Sequence, residues 1–590
     1  MSKQKKIVAL VVAIVAVIVF TILAITSNNI KLEYTLLEDG TYAVAEYYNK
    51  AITPAAAKIS DEYKGKPVTQ IADNAFSSGT VKEINIPNTV TYIGASAFKS
   101  CVYLTSIVIP DGVTVIGKGA FELCKGLTSI DLPAGITVID ENTFYGCEGL
   151  TDIVIPEGVT EIKASAFNSC SALKNVTLPS TLEVLENEAF TRCTALETIT
   201  IPANVTTFGS AIFSNCPALK TINFAGAVTV IAEKMFEKCI GLESVTIPAS
   251  VNEIQANAFA GCTALTAVNF AESGNLKTLG NSVFNGCSAL ESIALPDSIT
   301  KLGTSVFAGC SKLTTANVPT GVKKMSNSLF SNCTSLTQFE IPAHVTELGN
   351  KVFNGCLGLT SITVPSNVKE MGKEVFDGCK NLESVTLNCN IEEIAEGVFT
   401  DCEKLTTIVI PEGVEEIGDN AFEKCRALTS ISLPSTLKKV GASIFARCEK
   451  LETVTIPAKV TKLNNNTFSN ASGLKAINVE EGNTKYKSVN GVVYEIGEEG
   501  ALTLFAYPAK AGAVIVPTEA VTIRTNAFAN VKAPEGETTI KLYTLATSSE
   551  AFNAGTGNTI VTVYYYSETQ PTAEGNFWHY DTDGTTPIAW

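Results

Sequence analysis

Cysteine is the residue type whose number and spacing could give this chain chemistry, because thiols bind zinc, form disulfides and act as nucleophiles. The 590-residue chain has seventeen cysteines, and sixteen of them recur every 23 residues, with one longer interval of 25 residues. No two form a C-x-x-C pair, so the spacing does not fit a zinc ribbon. A constant period of this length predicts a solenoid of stacked coils. The sixteen are Cys101, Cys124, Cys147, Cys170, Cys193, Cys216, Cys239, Cys262, Cys287, Cys310, Cys333, Cys356, Cys379, Cys402, Cys425 and Cys448.

The geometry of a stack decides what these thiols do. Successive cysteine Cα atoms would lie about 4.8 Å apart, which is within disulfide range. Side chains in register run parallel, however, so their Cβ atoms would also lie about 4.8 Å apart, too far for an unstrained disulfide. We therefore expect buried, reduced thiols that fill core space, and neither a disulfide ladder nor a metal ladder. Cys389 falls outside the period and is predicted to be the most exposed thiol.

The remaining residues offer no catalytic constellation and no cofactor site. His344 and His579 are the two histidines of the chain, and the sequence has no G-x-S-x-G, H-E-x-x-H or phosphate-loop motif. The acidic doublets at 392–393 and 415–416 are typical of solvated turns, and residues 581–584 supply too few acidic ligands for calcium. The net charge of −16 argues against nucleic-acid partners. We expect a protein that is not an enzyme and needs no metal or cofactor.

The repeat that positions the cysteines has the form C-x-x-L-x-x-I-x-I-P-x-x-V-x-x-I-G-x-x-A-F-x-x, as in residues 101–123. The alternation in L-x-x-I-x-I predicts a short strand with one buried face, and Pro110 ends it because proline has no N–H for a ladder. The V-x-x-I-G segment predicts a turn. Residues Ala120 to Cys124 predict a single helical turn that directs Phe121 and Cys124 inward. One coil cannot bury its own apolar residues, so about 17 coils must stack.

The chain begins with a segment that predicts membrane insertion. Residues 1–6 are basic, and residues 7–26 form an uncharged, mostly apolar run long enough to cross a bilayer as a helix. The lysines would stay cytoplasmic, which places the bulk of the chain outside the cell. A cleaved signal peptide is the alternative, and it would give a secreted protein. The remainder divides into a β-hairpin cap at 30–70, a solenoid at 71–475, and a C-terminal hairpin, degenerate repeat and aromatic cap at 476–590.

The repeated string A-F-x-x-C-x-x-L-x-x-I-x-I-P resembles the BspA-type (Treponema pallidum-type) leucine-rich repeat of bacterial and some protist surface proteins. The resemblance covers about residues 32–590. It implies a β-rich α/β solenoid with a parallel sheet on one face and exposure at the cell surface. It also implies adhesion to an extracellular or host matrix protein, since characterised members are described as adhesins for host matrix proteins or other bacteria.

The outward side chains of the predicted strands are the first candidate binding surface. They lie between the two buried aliphatic residues of each strand and are small, with few charges and no aromatic ring. This composition fits a shallow protein-docking surface, and it equally fits a soluble sheet with no ligand. The candidates are Thr177, Thr200, Asn223, Thr246, Asn269, Asn317 and Glu340.

The aromatic residues near the C-terminus are a second candidate. Tyr564, Tyr566 and Trp578 could form a platform for a glycan, or they could plug the apolar end of the solenoid. Exposure of the rings would be required for glycan binding. The sequence thus supports a surface protein that binds other proteins, with a structural spacer and a glycan-binding protein as the two alternatives.

Overall fold

The computed structural model describes residues 30–49, 53–464, 466–511, 514–524, 527–528, 531, 539–545, 561–572, 575–581 and 586–590. The basic tail at 1–6 and the predicted membrane segment at 7–26 lie outside the described residues. Among the residues that are described, no helix has the length and apolar composition needed to cross a membrane.

The chain forms two compact units that divide between Leu290 and Glu291, and each unit is a parallel β-solenoid. Together they contain about 21 turns. The expected number of about 17 was too low, because end coils such as those containing Phe76 and Phe468 lack the repeat cysteine. The expected helical content was also wrong. Within the described ranges the only helix is one 3₁₀ turn at Glu498–Gly500.

The L-x-x-I-x-I segments form strands, which we call the A strands. Neighbouring A strands pair in parallel with partners 23 residues apart, as in Thr200 with Asn223. Of the described repeats between residues 81 and 479, the one at 338–341 has no A strand. The A strands are Val81–Asn85, Ser106–Val108, Ser129–Asp131, Asp152–Val154, Asn175–Thr177, Thr198–Ile201, Thr221–Phe224, Ser244–Ile247, Ala267–Phe270, Ser292–Ile293, Thr315–Ala316, Ser361–Val364, Ser384–Leu387, Thr407–Val409, Ser430–Ser432, Thr453–Ile456 and Ala476–Val479.

The V-x-x-I-G segments form a second set of two-residue strands, which we call the B strands. The glycine that follows is required by close packing, since a Cβ atom on Gly117 would lie 2.7 Å from the Ala95 nitrogen of the neighbouring coil. The B strands are Tyr92–Ile93, Val115–Ile116, Val138–Ile139, Glu161–Ile162, Val184–Leu185, Thr207–Phe208, Val230–Ile231, Glu253–Ile254, Thr278–Leu279, Lys301–Leu302, Lys324–Met325, Glu347–Leu348, Glu370–Met371, Glu393–Ile394, Glu416–Ile417 and Lys439–Val440.

The segment around each phenylalanine is a hydrogen-bonded turn, so the predicted helical turn was wrong. Its backbone includes left-handed residues on either side of the phenylalanine, for example Gly119 with φ 61° and Leu123 with φ 59°. Alternate N–H groups therefore point out of the coil. The N–H of Phe121 donates to the Thr143 carbonyl of the next coil at 2.9 Å, and that of Leu123 donates to Tyr145 at 2.6 Å. A helix would have kept these bonds within one segment.

The predicted core positions are buried. In the repeat at 101–123, Leu104, Ile107, Ile109, Val113 and Ile116 are all at most 5% exposed. The phenylalanines stack as parallel rings along each unit. Their centroids lie 5.0–5.7 Å apart from Phe76 to Phe284 in the first unit, and 5.3–6.2 Å apart from Phe307 to Phe468 in the second.

Both ends of the chain carry additional strands. At the N-terminal end an antiparallel hairpin leads into the first parallel pairing. Its strands are Ile30–Leu36, Tyr42–Asn49, Ala55–Lys58, Glu62–Tyr63 and Lys66–Ile71. At the C-terminal end a second antiparallel hairpin precedes a five-stranded sheet. The strands there are Tyr486–Val489, Val492–Ile496, Leu502–Ala506, Val514–Val516, Ala520–Ile523, Ile540–Thr544, Val561–Tyr566, Phe577–Tyr580 and Pro587–Ala589.

Candidate interaction surface

The repeat cysteines are buried thiols, as the spacing predicted. Their Sγ atoms also donate hydrogen bonds to the preceding coil, which the spacing did not predict. The Sγ of Cys124 donates to the Phe98 carbonyl of the preceding coil at 3.0 Å, and Cys147 donates to Phe121 at 3.2 Å. Burial raises the pKa of the Cys170 thiol to about 12, so the nucleophilic thiolate is disfavoured. The thiols are structural and unsuited to catalysis.

Cys389 is 1% exposed and every repeat cysteine is 0% exposed, so it is the most exposed thiol as predicted, but it too is buried. Asn388 occupies the position that proline takes in the consensus repeat. Its N–H donates to the Val364 carbonyl at 3.0 Å, a bond that proline cannot make. The chain therefore continues alongside the preceding coil for one more residue, and Cys389 is buried. Burial raises the pKa of its thiol to about 11.

The outward faces of the A strands form the candidate surface, which we call the A face. All five candidates of the first unit are exposed on it, which follows from the alternation of exposed and buried residues along each strand. The side chains of neighbouring coils contact each other, since the Asn223 amide donates to Thr200 Oγ1 at 3.5 Å. The five are Thr177, Thr200, Asn223, Thr246 and Asn269.

The side chains of the A face are mostly small, polar and uncharged. Hydroxyl and amide groups dominate it, and the largest apolar exposures are Val108 at 77%, Val409 at 67% and Val154 at 65%. Among the described residues, no group of three or more histidine, cysteine or acidic side chains is arranged to hold a metal ion. The face can therefore offer many hydrogen bonds and modest apolar area to a partner.

The two candidates of the second unit, Asn317 and Glu340, are also exposed. Their surroundings differ from those in the first unit, because both line a depression of about 450 Å³. The Asn317 side chain is held by the neighbouring coil: its amide donates to the Leu295 carbonyl at 2.8 Å, and its oxygen accepts from the Leu295 N–H at 2.6 Å. The outward column of the predicted strands includes these two residues, but the sequence pattern did not predict the depression.

Of the three aromatic candidates near the C-terminus, all of which the structure describes, none is fully exposed. Trp578 is fully buried, and its Nε1 donates to the Thr544 carbonyl at 2.8 Å. The Tyr566 and Tyr580 rings pack edge-on against it, at 5.3 Å and 5.0 Å between centroids. Tyr564 and Tyr566 are half-buried. The burial of Trp578 removes its indole from any glycan platform.

A larger groove of about 850 Å³ lies beside the B strands of the second unit. Glu370 lines it together with the predicted surface doublet at 392–393, whose two residues are exposed. Lys369 and the Lys324–Glu347 ion pair supply the other charges. The mixed charges show a solvated surface, as expected for such doublets.

Comparison with known proteins identifies the repeat. The family model for the BspA type leucine rich repeat region matches residues 69–195, 160–289, 261–383 and 369–489. The chain belongs to this BspA-type family. The resemblance stated from the repeat motif is thereby confirmed. No curated protein sequence matches the chain.

Solved leucine-rich repeat proteins are similar to this BspA-type chain. One from Bacteroides ovatus is 26% identical, with a TM-score of 0.49 over 77% of this chain and 98% of that one. A leucine rich cell surface protein from Faecalibacterium prausnitzii is 29% identical, with a TM-score of 0.41 over 60% and 93%. The T. pallidum leucine rich repeat protein is 22% identical, with a TM-score of 0.21 over 48% and 87%.

Proposed function

We propose that this BspA-type chain is a non-enzymatic cell-surface protein that binds an extracellular or host matrix protein through its A face. The observation that supports this most is the A face itself, a repeated surface of exposed hydroxyl and amide groups. Buried thiols with a raised pKa leave no nucleophile for catalysis among the repeat cysteines.

The proposed location follows from the family and from the N-terminus. BspA-type proteins are typically exposed at the cell surface. Residues 7–26 would hold the chain in the membrane as a single span, with residues 1–6 in the cytoplasm and the two units outside. Cleavage after this segment would release the same two units as a secreted protein.

Substitutions on the A face test the proposal. The full chain in a neutral detergent is applied to an immobilised panel of matrix proteins and glycans. We expect saturable binding to at least one matrix protein, and we expect Thr200→Lys with Thr246→Lys to weaken it roughly tenfold by placing two long charged side chains on the face. Thr206→Lys is the matched control, because Thr206 is exposed in the same coil outside the A face. Equal loss in the control would contradict the proposal.

A spacer with no ligand is the second candidate. It is favoured by the lack of tryptophan, tyrosine and arginine at the outward positions, since these residues dominate protein-binding hot spots. Failure of the chain to bind any protein or glycan on the panel would support the spacer. Binding to glycans alone, unaffected by the A-face substitutions, would support the glycan alternative.

A further inference from the structure

The depression in the second unit arises from two consecutive departures from the repeat. The buried aliphatic position in the middle of each A strand is isoleucine or valine in the neighbouring repeats, such as Ile293 and Ile362. In the two intervening repeats it is Ala316 and then Phe339. The smallest and the largest core residues of this column therefore lie next to each other, and the second of these repeats has no A strand.

The packing of Phe339 is unusual where the strand is missing. Its ring lies 5.0 Å from Phe330 and 5.2 Å from Phe353, between centroids, so it reaches into the stack of phenylalanine rings. Phe339 is 9% exposed. Residues 338–341, which carry this ring, have no strand. In the second unit the A face has a concave site here, which we call the notch, lined by Thr315, Ala316, Asn317, Gln338, Phe339, Glu340 and Pro342.

The charge in the notch is unusual for the A face. Along the outward column of the second unit, from Ala294 to Asn478, Glu340 is the single ionisable side chain. Glu340 is exposed and makes no side-chain hydrogen bond or ion pair within the part of the chain that the structure describes. Asn317 fixes one wall through its two bonds to Leu295. The notch thus combines a carboxylate, neutral hydrogen-bonding groups and an apolar floor.

We infer that the notch receives an arginine side chain of the bound protein. This inference rests on the proposed function and names the partner group that would anchor it. A guanidinium pairs with a carboxylate through two parallel hydrogen bonds, and its flat face and aliphatic stem pack on apolar surface. Glu340 supplies the carboxylate, and the partly exposed Ala316 and Pro342 supply the apolar surface. Concave shape and charge complementarity coincide here, in an outward column of the second unit that has no other ionisable side chain.

A titration with a small probe tests the notch separately from the protein partner. The full chain in neutral detergent is titrated with Nα-acetyl-L-arginine amide and, in parallel, with the citrulline analogue, which has nearly the same shape and no charge. Ligand-observed NMR reports weak binding directly. We expect millimolar binding of the arginine probe and roughly fivefold weaker binding of the citrulline probe, in line with one exposed ion pair.

Two variants assign that preference to the notch. Glu340→Gln should abolish the preference for arginine over citrulline. Phe339→Ile restores the consensus aliphatic residue and should close the notch, weakening both probes. Glu383→Gln is the matched control, because Glu383 is an exposed acidic residue beside the strand Ser384–Leu387 and outside the notch. Equal binding of the two probes, or a preference that survives Glu340→Gln, would overturn the inference. Binding to the immobilised matrix proteins is measured separately, so the proposed function can hold even if the notch does not bind arginine.

Discussion

Within each unit, a typical repeat cysteine fills a core position and also connects two coils. Its Sγ donates to the carbonyl of the phenylalanine in the preceding coil at 3.0–3.3 Å, for example from Cys193 to Phe167 at 3.3 Å. A thiol is a weak donor, so each bond contributes little, but it gives a second donor to a buried carbonyl that already accepts from a backbone N–H, as Phe167 does from Cys170 at 3.2 Å. Alanine would remove this second donor. The thiol is therefore better suited to the position than an aliphatic residue of similar size.

The reactivity of the thiols follows from their burial. In the native protein we expect no reaction with Ellman's reagent over an hour at pH 8, because Cys147 and Cys193 have a pKa well above the usual value and solvent does not reach them. In denaturant all seventeen should react. Rapid reaction of even one native thiol would show an exposed cysteine. A count near zero in denaturant without oxidant would show disulfides.

The raised pKa values also predict how stability depends on pH. A buried thiol such as Cys170, with a pKa of about 12, keeps its proton at a pH where the unfolded thiol, with a pKa near 9, has lost it. The unfolded state binds fewer protons in this window, so the free energy of unfolding is unaffected below about pH 9 and falls between about pH 9 and 12. Thermal unfolding followed by circular dichroism in reductant should show this fall.

Alanine variants separate the thiols from other alkaline groups. With alanine at Cys147, Cys170, Cys193 and Cys216, the midpoint temperature should fall less steeply with pH, since each thiol contributes up to about 1.4 kcal/mol per pH unit. An identical slope in this variant would assign the alkaline transition to tyrosines, of which Tyr507 has a pKa raised to about 12 by burial.

Ion pairs and stacked phenylalanine rings both recur between neighbouring coils, and they contribute differently to stability. Ion pairs link side chains that are 23 residues apart, as in Lys438–Glu415 at 2.6 Å and Lys439–Glu416 at 3.0 Å. These side chains are half-exposed, so each pair contributes at most about 1 kcal/mol. The phenylalanine rings are fully buried and stacked, and each contributes several times as much. The rings stabilise the stack, whereas the ion pairs help to fix its register.

Paired substitutions measure this difference. Phe190→Ala should lower the free energy of unfolding by about 3–5 kcal/mol, because it leaves a cavity between two stacked rings. Phe190→Leu should cost less, since it retains much of the volume. Glu415→Gln should cost at most about 1 kcal/mol, and less at high salt. Denaturant unfolding measures all three. A larger loss of unfolding free energy for Glu415→Gln than for Phe190→Ala would show that the ion pairs stabilise the stack more than the rings do.

The sequence predicted those elements that every repeat shares. The A strands and the buried positions Leu104, Ile107 and Phe121 recur with the period, so a single pattern located them all. The helical turn was wrong because left-handed residues such as Leu123 cannot be recognised from residue type. The notch was missed although its signal is present, as alanine and then phenylalanine at one core position. A departure of single repeats from the consensus can therefore indicate a local change in structure that the consensus alone does not predict.

At the scale of the whole molecule, the register is set by a repeat length that is conserved from coil to coil. Nearly every cross-coil strand pair, ion pair and ring stack joins residues 23 apart, as in Ile153 with Val176 and Val184 with Thr207. Each coil contacts chiefly the coils before and after it. Stability is therefore close to a sum of coil and interface contributions. The A face is built by the same rule, because its outward columns exist only while successive coils keep the same length.

This dependence on repeat length predicts the effect of deletions in the first unit. Removing residues 148–170 joins Cys147 to Ser171 and takes out one full period, so the remaining coils should stack in register with only a modest fall in the midpoint of thermal unfolding. Removing residues 148–169 takes out one residue fewer and leaves an extra residue in that coil. A shift of one residue turns a strand's buried side chains outward, so this protein should unfold at a clearly lower temperature. Native thiols should react with Ellman's reagent in the second deletion and not in the first. Equal stability of the two proteins would show that coil length does not set the register.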